Sequence, residues 1–221
     1  MRITLNFEPT LVPFSEPTQN YVNGMVHTII GKDNPYHDKF SNYSVSFLRG
    51  GKLTPEGLIY PNGGKVFISS PDETFIETIL INLIHSKNIK LRDMSLTSYD
   101  VCDININARY DIIETLSPIL LKDKGKRLTF KDESFLTILT EQCIAKLTKN
   151  GLSKSDLKGF TIKPFHFENA KIQLPKVKNV VNPSSQVMLV IEGTAKARKM
   201  IYEMGFGNST GCGFGAVKVR R

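Results

Sequence analysis

The feature that most restricts the fold of this chain is a glycine-rich segment close to its C-terminal end, residues 205–215. Two Gly-Phe-Gly triplets, Gly205–Gly207 and Gly213–Gly215, are separated by five small or polar residues. Glycines at this density let backbone N–H groups converge without interference from side chains, which suits a cradle for a phosphate group. A short alternating segment, residues 216–219, follows, so the pattern predicts a loop that leads into a strand.

Two common nucleotide-binding motifs do not explain this loop. Residues 211–216 match the glycine pattern of dinucleotide-binding folds, but that motif needs a helix after the glycines and an acidic residue further on, and only five residues follow Ala216. No Lys-Ser or Lys-Thr follows the glycines, so the common phosphate loop is excluded as well. A glycine-rich tail without a ligand is the remaining alternative, and the two phenylalanines and the β-type residues that follow argue against it.

The positive charge of the chain is concentrated in its second half. The net charge is +8 over 221 residues. Residues 1–100 contain 9 Lys and Arg against 10 Asp and Glu, whereas residues 101–221 contain 20 against 11. This asymmetry favours a polyanionic partner that is bound mainly by the second half, although a solvated lysine-rich surface gives the same count.

Composition also bears on the compartment. No apolar run approaches the ~18 residues of a membrane span, and the first residues lack the pattern of a signal peptide. The three cysteines, Cys102, Cys143 and Cys212, are widely spaced and form no CxxC motif. This pattern argues against a disulfide framework and against a zinc site, so we expect a cytoplasmic protein without membrane contact, bound metal or cofactor.

Hydrophobic periodicity in the first half predicts the element order β-α-β-β-α-β. The predicted elements are a strand at 2–8, a helix from Thr18 or Gln19 to near Gly31, a strand at 43–49, strand segments at 58–60 and 65–69 around a turn at 61–64, a helix from residue 71, and a strand at 89–100. This order is the ferredoxin-like plan, in which two split βαβ units share an antiparallel sheet.

The second half repeats the plan more loosely. The predicted elements are a strand within 104–121, a basic turn at 122–127, a helix at 132–149, strands at 160–174 and 185–192 around a Lys/Pro-rich arm at 175–183, a helix at 194–203, and the final strand. We therefore predict an α+β fold of two tandem ferredoxin-like (RRM-like) βαββαβ domains, residues 1–101 and residues 102–221. A single mixed sheet is the alternative.

With these features the chain resembles the CRISPR repeat-processing endoribonucleases of the repeat-associated mysterious protein superfamily. The glycine spacing of residues 205–215 fits the C-terminal motif of that family without a gap. Residues 115–120 are similar to the segment that opens the family's second domain. Residues 36–47 are similar to the stretch that holds the family's catalytic histidine before the second strand.

This resemblance implies metal-independent cleavage of CRISPR repeat RNA, which converts precursor transcripts into guide RNAs. The 2′-hydroxyl attacks the adjacent phosphate and leaves a 2′,3′-cyclic phosphate and a 5′-hydroxyl, so the reaction needs a base, an acid and positive charge at the phosphate. The alternative is a non-catalytic guide-RNA-binding subunit of the same superfamily. A metal-dependent nuclease is disfavoured, because the acidic pairs lie at predicted helix starts. Further partners that the resemblance allows are a second copy of the chain and effector-complex proteins.

The resemblance implies His37, Tyr21 and Lys39 as catalytic residues. His37 matches the family histidine, and its unperturbed pKa of ~6.5 suits proton transfer near neutrality. Tyr21 matches a family tyrosine close to the active site. The family often has a lysine where this chain has Asn42 and Tyr43, so Lys39 is the nearest substitute.

Lys52 is the next substitute for the family lysine after Lys39. Three other histidines are alternatives to His37 for the catalytic role. His27 lies on the flank of the first helix, away from its apolar stripe, and is the second candidate for the base. His85 ends the second helix, where it complements the helix dipole. His166 alternates with two phenylalanines in a predicted strand and faces RNA or solvent.

The expected RNA-binding residues are cations of the second half and glycines of the loop. They are Lys122, Lys124, Lys126, Arg127, Lys196, Arg198, Lys199, Lys218, Gly205, Gly207, Gly211, Gly213 and Gly215. The loop has no basic residue of its own, so its phosphate contact is expected from backbone N–H groups.

Overall fold

The structure, a computed structural model, describes residues 1–31, 42–86, 88–107, 109–177 and 179–220. The α-helices in this part of the chain are α1 (Thr18–Ile30), α2 (Glu73–His85), α3 (Phe135–Lys149) and α4 (Ala195–Met204). The longest of them, α3, has 15 residues. No helix among the described residues is both long and apolar enough to cross a membrane.

The strands divide between the two halves. Those of the first half are β1 (Arg2–Phe7), β2 (Thr10–Phe14), β3 (Ser44–Val45), β4 (Lys52–Thr54), β5 (Gly57–Tyr60), β6 (Gly64–Ser69), β7 (Lys90–Leu91) and β8 (Met94–Cys102). Those of the second half are β9 (Tyr110–Thr115), β10 (Leu121–Asp123), β11 (Lys126–Leu128), β12 (Thr161–Phe165), β13 (Lys171–Gln173), β14 (Lys176–Val177), β15 (Val180–Val181), β16 (Ser184–Gln186), β17 (Met188–Glu192) and β18 (Val217–Val219).

The main sheet of the first half has the order β3-β6-β1-β8-β7 and is antiparallel. The first strand, β1, lies between β6 and β8, with Ile3 opposite Ile68 on one side and opposite Val101 on the other. Apart from the short edge strand β7, this is the strand order of a ferredoxin-like unit. Alternate β1 side chains and the apolar stripes of α1 and α2 share one buried core.

The second half has the same arrangement. Its sheet has the order β12-β17-β9-β18, with Ile113 opposite Leu189 and Val219 on the two neighbouring strands. Helices α3 and α4 contribute to its core, in which Leu139 and Ile201 are fully buried. The predicted α+β fold of two tandem ferredoxin-like units is thus confirmed, and the single mixed sheet is excluded for the described residues.

One connection in the first half differs from the prediction. Strand segments 58–60 and 65–69 belong to different sheets: β5 pairs with β2 and β4, whereas β6 pairs with β1 and β3. The turn between them contains Gly63 at a φ of +80°, where a Cβ would collide with the carbonyl oxygen of Phe7. The turn therefore redirects the chain from the small sheet onto β1.

Two segments of the second half are hairpins. The basic turn is the hairpin β10–β11, with φ of +45° at Lys124 and +83° at Gly125; positive φ at both central residues is typical of a tight hairpin turn. The Lys/Pro-rich arm contains the hairpin β14–β15, and β13 pairs with β16 at its base. Both hairpins lie outside the four-stranded sheet.

The two halves contact each other through backbone groups next to the glycine loop. Ser44 donates from its hydroxyl to the Glu203 carbonyl oxygen over 3.0 Å. The Phe47 N–H donates to the Ser117 hydroxyl over 2.7 Å. The Phe47 ring also meets Phe214 of the loop edge to face, with 5.5 Å between the ring centroids. These contacts bring the start of β3 and the glycine loop together.

Candidate nucleic-acid interface

The glycine loop, residues 205–215, is held by contacts that only glycine permits. Gly207, Gly213 and Gly215 have φ values of +72°, +106° and +66°. A Cβ at these positions would collide with the Leu120 carbonyl oxygen, the Gln19 side-chain amide and the Phe206 carbonyl oxygen, respectively. The glycines therefore allow close approach of the loop to its neighbours as well as unusual backbone angles.

The N–H groups of most loop glycines are used within the protein. Those of Gly205, Gly213 and Gly215 donate to the carbonyl oxygens of Ile201, Thr210 and Pro118 over 2.8, 3.2 and 3.0 Å. Gly207 is buried, so its N–H group is not open to a ligand. We therefore correct the expectation that these four N–H groups hold a phosphate: three already have an acceptor and the fourth is buried.

The outward part of the loop is different. Ser209 is exposed, and Gly211 and Cys212 are half-buried. Within the described parts of the chain, no acceptor contacts the N–H groups of Ser209, Thr210 or Gly211. The expected phosphate contact through backbone N–H groups is thus restricted to residues 209–211, and of the predicted glycines only Gly211 remains a candidate donor.

Helix α3 contacts the start of the glycine loop through a buried lysine. Lys146 is buried and donates from Nζ to the Gly205 carbonyl oxygen over 3.2 Å. Burial lowers the pKa of Lys146 to about 8 and raises the pKa of the neighbouring Cys143 thiol to about 12. The apolar stripe of α3 gave no reason to single out Lys146, so sequence reasoning missed this support.

The first half reaches the loop at two places. The Thr210 hydroxyl donates to the Tyr43 carbonyl oxygen over 2.9 Å. Gln19 of α1 lies against Gly213 and is buried. The start of α1 and the start of β3 therefore both meet the loop.

The catalytic candidates are only partly described. His37 and Lys39 lie outside the described residues. Tyr21 packs edge to face on Phe14, with 5.7 Å between the ring centroids, and its hydroxyl donates to Glu16 over 3.3 Å. Since Tyr21 is two residues beyond Gln19, it lies about 200° further around α1, so the structure does not bring its ring to the loop.

The remaining histidines are exposed. His27 and His85 are exposed on α1 and α2. His166 has a φ of +49°, and its Nδ1 lies 2.6 Å from a Glu168 carboxylate oxygen. It interrupts the predicted strand 160–174 and lines a cavity of about 290 Å³ with Glu114, Asn169, Ala170, Lys171, Gln173, Gln186, Val187 and Met188.

The basic hairpin β10–β11 is attached directly to the glycine loop. The Lys122 N–H donates to Asn208 Oδ1, and the Lys122 carbonyl oxygen accepts from Gln142 Nε2 of α3, both over 2.7 Å. The four predicted cations of this hairpin, Lys122, Lys124, Lys126 and Arg127, are all exposed. Within the described ranges, no carboxylate forms an ion pair with any of them.

The predicted cations on α4 and β18 have a different environment. Lys196, Lys199 and Lys218 form ion pairs with Asp156, Asp103 and Glu114 over 3.2, 3.3 and 3.1 Å. Although partly exposed, these three lysines already have anionic partners. They can contact RNA only in competition with those carboxylates.

Arg198 is not available to RNA in this structure. Its side chain is fully buried and forms an ion pair with buried Asp111. It also donates to the Gly193 and Asn107 carbonyl oxygens over 3.1 and 2.7 Å. We therefore correct the expectation that Arg198 binds RNA: a buried guanidinium that joins α4 to β9 is a structural group.

A groove of about 300 Å³ lies between the basic hairpin, the glycine loop and the hairpin β14–β15. Its lining residues are Leu120, Lys122, Arg127, Val177, Val180, Asn182, Ser209, Cys212 and Phe214. It combines two of the predicted RNA-binding cations with the outward part of the loop. The contribution of the hairpin β14–β15 was missed, because the sequence of the arm did not indicate that its residues pair as strands.

The cysteines and acidic residues form no metal site in this part of the molecule. Cys102, Cys143 and Cys212 are free thiols. Across the described residues, no three His, Cys, Asp or Glu side chains lie together in an arrangement that could hold a metal ion.

The fold and this interface define a tandem ferredoxin-like protein with a basic groove beside its last glycine loop. The profile of the family described as "CRISPR associated protein Cas6, C-terminal" matches residues 101–219. Because the match spans more than half of the chain, the chain belongs to this family, which confirms the resemblance found in the sequence.

Individual proteins with known names or structures agree with this assignment. The chain is 25% identical over 242 residues to the CRISPR-associated endoribonuclease Cas6 1 of Methanocaldococcus jannaschii, an alignment that covers 98% of this chain and 92% of the relative. A solved RAMP protein that binds different RNA substrates has a TM-score of 0.83 and 23% identity, with 100% of both chains covered. A solved CRISPR associated protein Cas6 has a TM-score of 0.81 and 22% identity, with coverage of 100% and 99%. These two similarities show the same fold.

Proposed function

We propose that this chain is an endoribonuclease that binds CRISPR repeat RNA and cleaves precursor transcripts into guide RNAs without a metal ion. The observation that carries the proposal is the groove with the unpaired cations Lys122 and Arg127 beside the outward part of the glycine loop. Such a surface suits a polyanion. Family membership and a relative named as an endoribonuclease support RNA as that polyanion.

The proposed reaction is an internal phosphoryl transfer. The 2′-oxygen forms a bond to the adjacent phosphorus while the bond from phosphorus to the 5′-oxygen breaks, which leaves a 2′,3′-cyclic phosphate and a 5′-hydroxyl. One proton leaves the 2′-hydroxyl and one is delivered to the 5′-oxygen. The attacking hydroxyl already lies beside the phosphorus, so the reaction needs only proton transfer and charge stabilisation. We assign one of the two proton transfers to His37, whose imidazole can donate or accept a proton near neutrality.

The position of His37 in the chain supports this role. It lies five residues before Asn42, and five residues span at most about 18 Å. The Asn42 carbonyl oxygen accepts from the Ser70 hydroxyl over 3.0 Å, and the next residue, Tyr43, accepts from Thr210 of the glycine loop. The chain therefore reaches the loop, on which the phosphate is proposed to lie, six residues after His37.

The remaining assignments follow from this arrangement. Lys39, two residues after His37, would supply positive charge at the phosphate. Tyr21 takes no part in this step, because its ring packs on Phe14, away from the loop. The N–H groups of residues 209–211 would contact phosphate oxygens. We retain residues 1–101 as the unit that carries the chemistry and residues 102–221 as the unit that binds RNA.

A non-catalytic guide-RNA-binding subunit is the second candidate function. It is favoured by one observation, namely that Asn42 and Tyr43 stand where the family often has a lysine. Both functions use the same groove to bind RNA, but only the endoribonuclease cleaves it. Incubation of the purified chain with all-ribonucleotide repeat RNA in excess EDTA should yield fragments with 2′,3′-cyclic phosphate and 5′-hydroxyl ends. Binding without cleavage under all conditions would instead support the subunit.

A further inference from the structure

We infer that the groove between the glycine loop and the two hairpins is a pocket for one unpaired nucleotide of the RNA. This inference rests on the proposed function for the identity of the ligand, and it specifies which part of the RNA enters the groove. Three features of the groove carry it: an apolar floor, a cationic rim, and an unpaired hydrogen-bond acceptor at one edge.

The floor of the groove is apolar and rigid. Leu120, Val177 and Phe214 form a small buried cluster that is separate from the two main cores. The edge-to-face contact with Phe47 fixes the Phe214 ring. Val180, at the outer end of this floor, is 47% exposed and extends the apolar surface toward solvent. An apolar surface of this kind can pack against the flat face of an unpaired base.

The rim of the groove is cationic. Lys122 and Arg127 face each other across the basic hairpin as directly paired residues, so both side chains project from the same side of it. No acidic residue is among the groove's lining residues. The two cations are therefore placed to form charge-assisted hydrogen bonds with the phosphates that flank an inserted base.

Asn182 supplies a polar edge to the groove. It is only 7% exposed, and its Nδ2 donates to the Val180 carbonyl oxygen over 2.7 Å. Because that partner is an acceptor, the orientation of the amide is fixed and Oδ1 points elsewhere. Among the described residues no donor contacts Oδ1. An acceptor at this edge can bind an N–H group of an inserted base.

The size of the groove suits a single nucleotide. A volume of about 300 Å³ is at the lower end of the range for small-ligand pockets. An RNA duplex keeps its bases stacked and paired, and has none to insert. The groove therefore favours a single-stranded segment of the repeat over its paired regions.

Binding of short oligonucleotides to the full chain tests the pocket without any cleavage. The probes are fluorescently labelled single-stranded octamers of adenosine and of uridine, and an eight-base-pair RNA duplex. Val180→Glu places a negative charge in the groove and should weaken binding of the adenosine octamer by roughly tenfold, which is the scale of one lost base contact. The matched control is Val181→Glu, since Val181 is similarly exposed at 49% but does not line the groove; its effect should stay below about threefold.

Binding of the duplex should respond equally to the two substitutions. The wild-type chain should bind the adenosine octamer more tightly than the uridine octamer, because a purine covers more of the apolar floor than a pyrimidine. Equal weakening of the adenosine octamer by the two substitutions would overturn the pocket, and equal affinity for the two octamers would overturn the contact of the base with the floor. Should Val180→Glu not fold, photocrosslinking of an octamer that contains 8-azidoadenosine to the wild-type chain decides: crosslinks within 177–182 or 209–214 support the pocket, and crosslinks confined elsewhere overturn it.

The outcome is independent of the proposed cleavage reaction. If repeat RNA is cleaved while Val180→Glu and Val181→Glu bind the adenosine octamer equally, the pocket is wrong and the endoribonuclease stands. If the octamers behave as expected while repeat RNA is never cleaved, the pocket stands and the chain is an RNA-binding subunit.

Discussion

The two halves of this chain have the same strand order but differ in the connection that precedes the last strand of each unit. In the first half, residues 86–93, which include the short strand β7, join α2 to β8. In the second half, residues 205–216 join α4 to β18 and form the glycine loop. The sheets are equivalent, so the fold alone does not distinguish the halves. Functional differences on a shared fold arise from its connections, and here the long connection lies beside both the basic hairpin and the first half.

The two halves also differ in charge and in the environments of their cations. The first half is nearly neutral and the second strongly basic, yet the cations of the second half have two different environments. Those of the basic hairpin form no ion pair in the described residues, whereas Lys163, Lys196, Lys199 and Lys218 each have an exposed or partly exposed acidic partner. A count of charges therefore overstates the surface that is free to bind RNA.

The largest expected effect separates chemistry in the first half from binding in the second. His37→Ala should lower the single-turnover rate of repeat cleavage by roughly 10²–10⁴-fold, the usual contribution of a general acid or base, while RNA affinity is preserved. Rates at saturating enzyme and affinities from filter binding measure the two quantities. The control is His27→Ala, which removes an exposed histidine of α1. A larger rate loss for His27→Ala would show that the base is assigned to the wrong histidine.

The next effect concerns the buried cation of α4. Arg198→Ala leaves Asp111 buried without its ion-pair partner, which should lower the free energy of unfolding by about 3–5 kcal/mol. Urea denaturation followed by circular dichroism measures this change. Lys196→Ala, two residues earlier on the same helix and exposed, should change stability by no more than about 0.5 kcal/mol. Similar stabilities of the two variants would contradict the structural role of Arg198.

A smaller effect tests the comparison between unpaired and paired cations. Replacement of Lys122, Lys124, Lys126 and Arg127 by Ala should weaken repeat RNA binding by roughly 10–100-fold and flatten its salt dependence, since each lost phosphate contact reduces the slope by about 0.7–0.9. The matched control removes the same number of charges at Lys163, Lys196, Lys199 and Lys218 and should have a much smaller effect on both quantities. Equal losses in the two variants would show that ion pairing does not decide which cations bind RNA.

The smallest effect concerns Lys146, the buried cation of α3 that contacts the glycine loop. Because burial lowers its pKa from 10.5 to about 8, the unfolded chain binds a proton between these pH values that the folded chain does not bind. This group's contribution to the unfolding free energy therefore rises with pH in that window, by at most about 1.4 kcal/mol per pH unit. The stability difference between the wild-type chain and Lys146→Met should increase in favour of the wild type from pH 8 to pH 9. Over that interval, an unchanged difference in urea denaturation would contradict the lowered pKa.

The order of the main elements could be predicted because it depends on local periodicity. The stripe of α1 and the alternation of β1 are visible in the sequence, and the structure confirms both. The small sheet β2-β5-β4 was not predicted, because its pairings join segments whose own patterns are short and irregular. The division at residues 101 and 102 stays a prediction.

The site could be predicted only in outline. The glycine spacing located the loop, but it could not show that the Gly215 N–H donates to the Pro118 carbonyl oxygen, because that acceptor lies on another segment. Arg198 looked like a surface cation of a helix, and its partner Asp111 is 87 positions away in the chain. Local patterns do not report contacts at such separations.

The most direct test of the account uses a repeat RNA with a single 2′-deoxynucleotide immediately 5′ of the scissile phosphate, in excess EDTA. This RNA should bind with the affinity of the all-ribonucleotide repeat and should not be cleaved, because the attacking 2′-hydroxyl is missing while every contact to the groove and the loop remains. Cleavage of the deoxy RNA, or a product with a 5′-phosphate, would show that water is the nucleophile and would contradict the proposed mechanism.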